Sequence, residues 1–242
     1  MYVLHTLNIQ EVYMIVMIGC VKGGTGKTMI ATNLAAMRSA AGKKVLLVDG
    51  DEQKSTIKWA NQRDFLEIET KLTTVSFAGK SLRAQVLRMK EDYDDVIIDV
   101  GGRETTSLRA ALSIADVCLV PFRPRSADLW TLPDIQTVIN EMKPANPNLQ
   151  VFSIINQADS TGWDNEGSID ILQECEDIKC IDLTVGYRKA FPNAYSDGLS
   201  VLEMKIQDKK AVQEITNIYD FIYSKCISDV GRIYIGHTAA IQ

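Results

Sequence analysis

Val21-Lys22-Gly23-Gly24-Thr25-Gly26-Lys27-Thr28 is the stretch on which the fold turns. It follows a continuous apolar run, Met14–Cys20, and opens a segment, Thr28–Ala41, with apolar or small residues at helical spacing. Strand, glycine-rich turn and helix in that order make a phosphate-binding device. The glycines let successive backbone N–H groups turn toward a polyphosphate, and the helix N-terminus adds its partial positive charge. In such a loop the lysine, Lys27, reaches the β- and γ-phosphates and the Thr28 hydroxyl binds Mg2+. The ordinary pattern asks for glycine five places before Gly26. That place is Val21, so the strict pattern fails, and a second lysine, Lys22, stands beside it.

Working outward, Lys44–Val48, Val96–Val100, Val117–Val120 and Val151–Ile155 are further short apolar runs, the third closed by Pro121. Leu72–Val75 and Cys180–Val185 are weaker ones. Between them Ser55–Phe65, Lys80–Met89, Leu132–Met142, Ser168–Glu176 and Asp208–Lys225 read as helices. Short apolar strands separated by helices predict a mainly parallel sheet covered on both faces. The expected fold class is therefore α/β, doubly wound, of the P-loop NTPase type. At 242 residues the chain suits one domain. The boundaries expected are a flexible leader at 1–13 (native or an artefact of start-site choice), one domain at 14–228 and a weakly anchored tail at 229–242.

Two carboxylate-bearing turns follow strands near the loop. Val45-Leu46-Leu47-Val48 runs into Asp49-Gly50-Asp51-Glu52-Gln53. Carboxylates at the C-terminal end of a strand face the ligand crevice of an open α/β sheet, and strand alternation puts Asp49 and Asp51 on one side. Val96-Ile97-Ile98-Asp99 ends an apolar strand in aspartate, the Walker B arrangement, in which Asp99 would hold a water on Mg2+. Gly101 and Gly102 behind it permit close backbone approach or a turn that senses the γ-phosphate.

Composition sets limits. Net charge is −5, so no whole-molecule basic field attracts nucleic acid and any DNA contact needs a local patch. The five cysteines are scattered without a CxxC pair, which argues against a disulfide framework or zinc site and for a reducing cytoplasm. His5 and His237 are not expected to be metal ligands. No apolar run approaches the roughly 18 residues of a membrane span. Asn156-Gln157-Ala158-Asp159 lacks the lysine of a guanine-reading Asn-Lys-x-Asp motif, which favours adenine.

Lys22 followed by Gly-Gly-x-Gly-Lys-Thr resembles the deviant loop of the ParA/MinD group of ATPases. Asp49–Gln53 is similar to that group's Asp-x-Asp-Pro-Gln motif, with Glu52 where the group has proline. Val117–Asp128, with Pro121, Pro124, Ser126 and Asp128, resembles its Pro-x-x-Pro-x-Ser-x-Asp stretch, and Arg188–Glu203 its late segment. The likeness spans about residues 14–226 and lies nearest the short, ParF-like partition proteins.

The resemblance implies ATP and Mg2+ as cofactors, with nucleotide contacts from Lys22, Gly23, Gly24, Thr25, Gly26, Lys27, Thr28 and Met29, and from Asn156 near the adenine. It implies Lys22, Lys27 and Asp51 as catalytic groups, with Lys22 reaching a partner subunit's phosphates and Asp51 placing the attacking water. Thr28, Asp49 and Asp99 would serve the metal. It further implies an ATP-dependent homodimer, nonspecific DNA binding through Arg188 and Lys189, a centromere-binding partner of ParB or ParG type, and slow, partner-stimulated hydrolysis. The protein would be cytoplasmic and nucleoid-associated when ATP-bound. A membrane role needs a basic amphipathic C-terminal helix. Ala211–Ile227 has few bases and reads as a core-packing helix. The alternative is a MinD-like or metabolic ATPase of the same fold that does not act on DNA.

Overall fold

The computed structural model describes residues 14–102, 105–160 and 164–226. The expected leader at 1–13, the tail at 229–242, His5 and His237 lie outside them. The strands are β1 (Met14–Gly19), β2 (Val45–Asp49), β3 (Leu72–Ser76), β4 (Asp95–Val100), β5 (Val117–Phe122), β6 (Gln150–Ala158) and β7 (Lys179–Gly186). They form one sheet in the order β3-β2-β4-β1-β5-β6-β7, and every pairing is parallel. The helices are α1 (Lys27–Ala40), α2 (Ser55–Phe65), α3 (Ser81–Met89), α4 (Thr105–Leu112), α5 (Ser126–Leu129), α6 (Leu132–Met142), α7 (Asp164–Gln173), α8 (Ala190–Ser196) and α9 (Lys209–Asp220).

The period of two along buried strands divides the apolar side chains between two cores. Met14, Val16 and Ile18 of β1 pack with Ile30 and Leu34 of α1, Trp59 of α2, Phe191 of α8 and Ile215 of α9. Ile15 and Met17 turn the other way, onto Leu82 of α3, Leu108 of α4, Ile135 of α6 and Leu172 of α7. A sheet buried on both faces needs the near-continuous apolar strands seen in the sequence. Each such side chain removed from water contributes about 1.5–3 kcal/mol.

Pro121 does not close β5, as expected from the sequence, but lies within it, in register with Ile154. The reason is edge-like pairing. Beyond Leu119, β5 is paired only with β6, so a missing N–H on its other side costs no ladder bond. α7 begins at Asp164, ahead of the expected Ser168. α9 starts where Asp208 caps it, its carboxylate accepting from the N–H groups of Lys210 and Ala211. It passes at Phe221–Cys226 into a wider π-helical turn. Its Ala211, Ile215 and Ile218 are fully buried, so the C-terminal helix packs on the core. Among the described residues no helix is long and apolar enough to cross a membrane.

Candidate functional site

The loop 20–28 crosses the C-terminal end of β1 and delivers Lys27 as the first residue of α1. Gly26 takes φ 86°, a left-handed conformation that side chains resist, and a Cβ there would lie 2.1 Å from the Asn156 amide nitrogen. That amide donates to the Thr25 carbonyl at 2.6 Å, and Gln157 Nε2 donates to the Gly24 carbonyl at 3.0 Å. The end of β6 therefore clamps the loop. Lys27 Nζ donates to the Lys22 carbonyl at 2.7 Å, and the buried Cys20 thiol lies 3.2 Å from the Thr25 hydroxyl.

Thr28 Oγ1 donates to Asp99 Oδ2 at 2.6 Å, and Thr56 Oγ1, from the first turn of α2, donates to the same oxygen at 2.7 Å. Burial pushes the Asp99 carboxyl up to about 6, against the opposing pull of those two hydroxyls. A hydroxyl and a buried carboxylate in contact at the mouth of a phosphate loop are hard-oxygen donors that fit Mg2+, an ion that takes one or two protein oxygens and completes its shell with phosphates and water. Asp49, expected to support the metal, is tied to the backbone. Its two oxygens accept the N–H groups of Asp51 at 3.0 Å and Ile57 at 2.9 Å, so it holds the turn and caps α2. Burial raises its carboxyl as well.

The turn after β2 lacks the family's proline at Glu52, yet it is braced. Asp51 Oδ1 accepts from Gln53 N–H at 2.9 Å, and the Asp51 carbonyl from Lys54 N–H at 3.0 Å. The Asp51 carboxylate sits where a Cβ on Gly101 would be, 2.2 Å from it, and a Cβ on Gly102 would lie 2.4 Å from the Lys22 carbonyl carbon. The two glycines behind β4 thus admit Asp51 on one side and the loop backbone on the other. Together these elements enclose a cavity of about 420 Å3 lined by Gly23, Gly24, Lys27, Thr28, Asp51 and Gly102. It shares Gly26, Thr28, Ser55 and Gln157 with a neighbouring cavity of about 400 Å3, whose walls include Met29, Asn156, Tyr187, Phe191 and Tyr195. One crevice with a polar, phosphate-sized end and an apolar, aromatic end suits a nucleotide.

Lys22 is the exception among the loop residues. Its Nζ binds Asp128 Oδ1 at 2.8 Å and the Ala127 carbonyl at 2.7 Å, and Lys22 lines neither cavity. Asp128, 1% exposed, also accepts from one edge of Arg123, through Nε and, at 3.0 Å, through Nη2. Burial pushes the Asp128 carboxyl up, but the hydrogen bonds from Arg123 and Lys22 outweigh it and hold the group below its usual range.

Residues 16–201 match the family model described as the CobQ/CobB/MinD/ParA nucleotide binding domain. The chain belongs to this family. Among curated ParA/MinD-family relatives it is 25% identical over 202 residues to the maintenance of carboxysome distribution protein A of Halothiobacillus neapolitanus, covering 81% of this chain and 90% of that one. It is 30% identical over 115 residues to protein ParA of Rhizobium radiobacter, 47% of this chain and 50% of the relative. The ATP complex of McdA from Cyanothece shares the fold, with a TM-score of 0.72 at 16% identity, over 88% of this chain and 96% of that one. In this ParA/MinD-family chain the nucleotide crevice and the matched region coincide.

The two expected DNA contacts differ in exposure and partners. Lys189 is exposed, whereas Arg188 is bound to Glu214 of α9 and lines the apolar end of the crevice. Sequence reasoning gave no role to Arg123, Thr56 or Glu214, and read Gln157 only as the residue in place of a guanine-reading lysine. The only signal for the first was its place inside the Pro-x-x-Pro-x-Ser-x-Asp stretch. The others are joined to the site by contacts between residues far apart in the chain.

Proposed function

We propose that this protein is a ParA-type ATPase that dimerises on ATP, binds DNA without sequence preference and positions a plasmid, chromosome or protein body through a centromere-binding or cargo-binding partner. The observation that carries the reading is the position of Lys22. It does not line its own phosphate cavity and is held instead by Asp128 and the Ala127 carbonyl, which leaves it available to a second subunit's phosphates. Within one subunit Lys27 binds the β- and γ-phosphate oxygens. Asp51, beside Gly101 at the cavity wall, orients the attacking water and accepts its proton. The partner's copy of Lys22 neutralises charge as the γ-phosphoryl group leaves, the part an arginine finger plays elsewhere. Mg2+, held by Thr28 and Asp99, would neutralise the phosphate oxygens. Exposed Lys189, Lys205, Lys209 and Lys210 are the groups left for salt-sensitive contact with DNA phosphates, in a form that is nucleoid-associated when ATP-bound.

Light scattering and turnover measurements test the dimer. Wild type should dimerise with ATP but not ADP. Lys22→Ala should bind ATP yet lose the dimer or its hydrolysis, and Asp51→Ala should bind ATP and lose hydrolysis. A Lys22→Ala protein that dimerises and turns over normally would overturn the reading. A second reading is a positioning ATPase that does not act on DNA. The pairing of Arg188 with Glu214 favours it by removing one basic contact. It predicts an ATP-dependent dimer with no affinity for random duplex DNA at low salt.

A further inference from the structure

The geometry points to Arg188 as a purine-recognition residue of the nucleotide site, with Glu214 as the residue that positions it. This rests on the nucleotide-binding reading above and assigns a wall of the same crevice. Three observations carry it. Arg188 lines the 400 Å3 cavity together with Met29, Tyr187, Phe191 and Tyr195, the end remote from Lys27. Its guanidinium is fixed along an edge. Nε donates to Glu214 Oε2 at 2.8 Å and Nη2 to Glu214 Oε1, and the same carboxylate accepts the Gly186 N–H at 3.1 Å. Its plane is also fixed. A Cβ on Gly186 would stand 3.1, 3.3 and 3.4 Å from Nη2, Cζ and Nε in turn. Near-equal distances to three coplanar atoms mean that Gly186 faces the plane rather than an edge.

One face of the guanidinium therefore rests on Gly186, and its hydrogen-bonding edge is spent on Glu214. What remains for the cavity is the opposite face and Nη1, which has no partner among the described residues. A flat, immobilised cation among aromatic side chains is equipped to stack on a purine ring, because arginine planes stack on bases and the ordering of the side chain has already been met by the fold. The same arrangement is poor for DNA phosphate, since the Glu214 carboxylate would stand beside the incoming anion. Lysine could not substitute, having charge but no plane.

The test compares ligands with and without a base. Affinities for ATP, ADP and inorganic tripolyphosphate, each with Mg2+, are measured by calorimetry for wild type, Arg188→Ala, Arg188→Lys and Glu214→Gln. Arg188→Ala should lose about tenfold for both ATP and ADP and nothing for tripolyphosphate. Arg188→Lys should fail to restore the loss, and Glu214→Gln should show a smaller loss of the same base-dependent kind. Unchanged ATP affinity in Arg188→Ala overturns the proposal, as does an equal loss for tripolyphosphate, which marks a structural role. So does intact nucleotide affinity with weakened DNA binding, which makes Arg188 a DNA contact. A wild-type protein that binds none of the three ligands overturns the nucleotide reading itself.

Discussion

Substituting alanine for Gly102 isolates how tightly the β4 turn is packed on the phosphate loop. Gly102 has no positive φ, so alanine is permitted by the backbone and only the contact is tested. The added methyl would lie 2.4 Å from the Lys22 carbonyl carbon, 2.6 Å from its oxygen and 2.8 Å from Gly23 N. All three are main-chain atoms, which cannot rotate aside. Ordinary contact begins at 3.4 Å, so the loop must retreat by about 1 Å. Overpacking of this kind costs about 1–3 kcal/mol, and if the loop carries the strain, nucleotide affinity falls roughly 5- to 150-fold. Gly101→Ala is the control. Its methyl would meet the Asp51 carboxylate at 2.2 Å, a side-chain end that can swing away. ADP affinity should then stay within about twofold, while single-turnover hydrolysis falls by about 100-fold for a 1 Å displacement of the carboxylate. Calorimetric titration with ADP and single-turnover ATP hydrolysis read the two effects, with circular dichroism confirming the fold. A Gly102→Ala protein with wild-type ADP affinity, or a Gly101→Ala protein with wild-type turnover, refutes this account of the site.

Asp128→Ala should lower stability by about 2 kcal/mol, toward the lower end for a broken buried pair because Lys22 and Arg123 are each about a third exposed and regain water. It should also free Lys22, so the ATP-dependent dimer forms at lower protein concentration, and light scattering that shows weaker dimerisation would count against the Lys22 reading. Burial pushes the Asp95 carboxyl up to about 6 despite the Arg38 guanidinium bound to it. The folded value exceeds the unfolded one of 3.8, so the stabilising contribution is full below about pH 4 and is lost as pH rises through about 6. Urea unfolding at pH 5 and 7.5 should show a slope that flattens in Asp95→Asn, and an identical slope in both proteins would remove Asp95 as its source.

Much of the site was legible because its members are neighbours in sequence. Gly26-Lys27-Thr28 after an apolar strand could be read as a phosphate loop, and in the structure the loop and Asp51 line one cavity while Asp99 accepts from Thr28 of that lining. Asp49 was legible as a carboxylate at a strand end but not as a turn-holding group, because its two partners are backbone N–H groups chosen by how the turn folds. Glu52 read as a loss of rigidity. Hydrogen bonds to Asp51 supply the bracing that proline would have given. Pro121 read as a strand end because local propensity does not know that β1 stops pairing before that point.

By itself the sequence determined the fold class, the phosphate-binding loop and the family likeness, since periodicity and loop chemistry act between residues a few places apart. The tertiary structure alone decided what lies against that loop. It put Asp128 against Lys22, Asn156 under Gly26 and Glu214 behind Arg188. Each of these pairs joins residues distant in the chain, and which partners meet depends on strand order and helix packing, the quantities that local pattern leaves open.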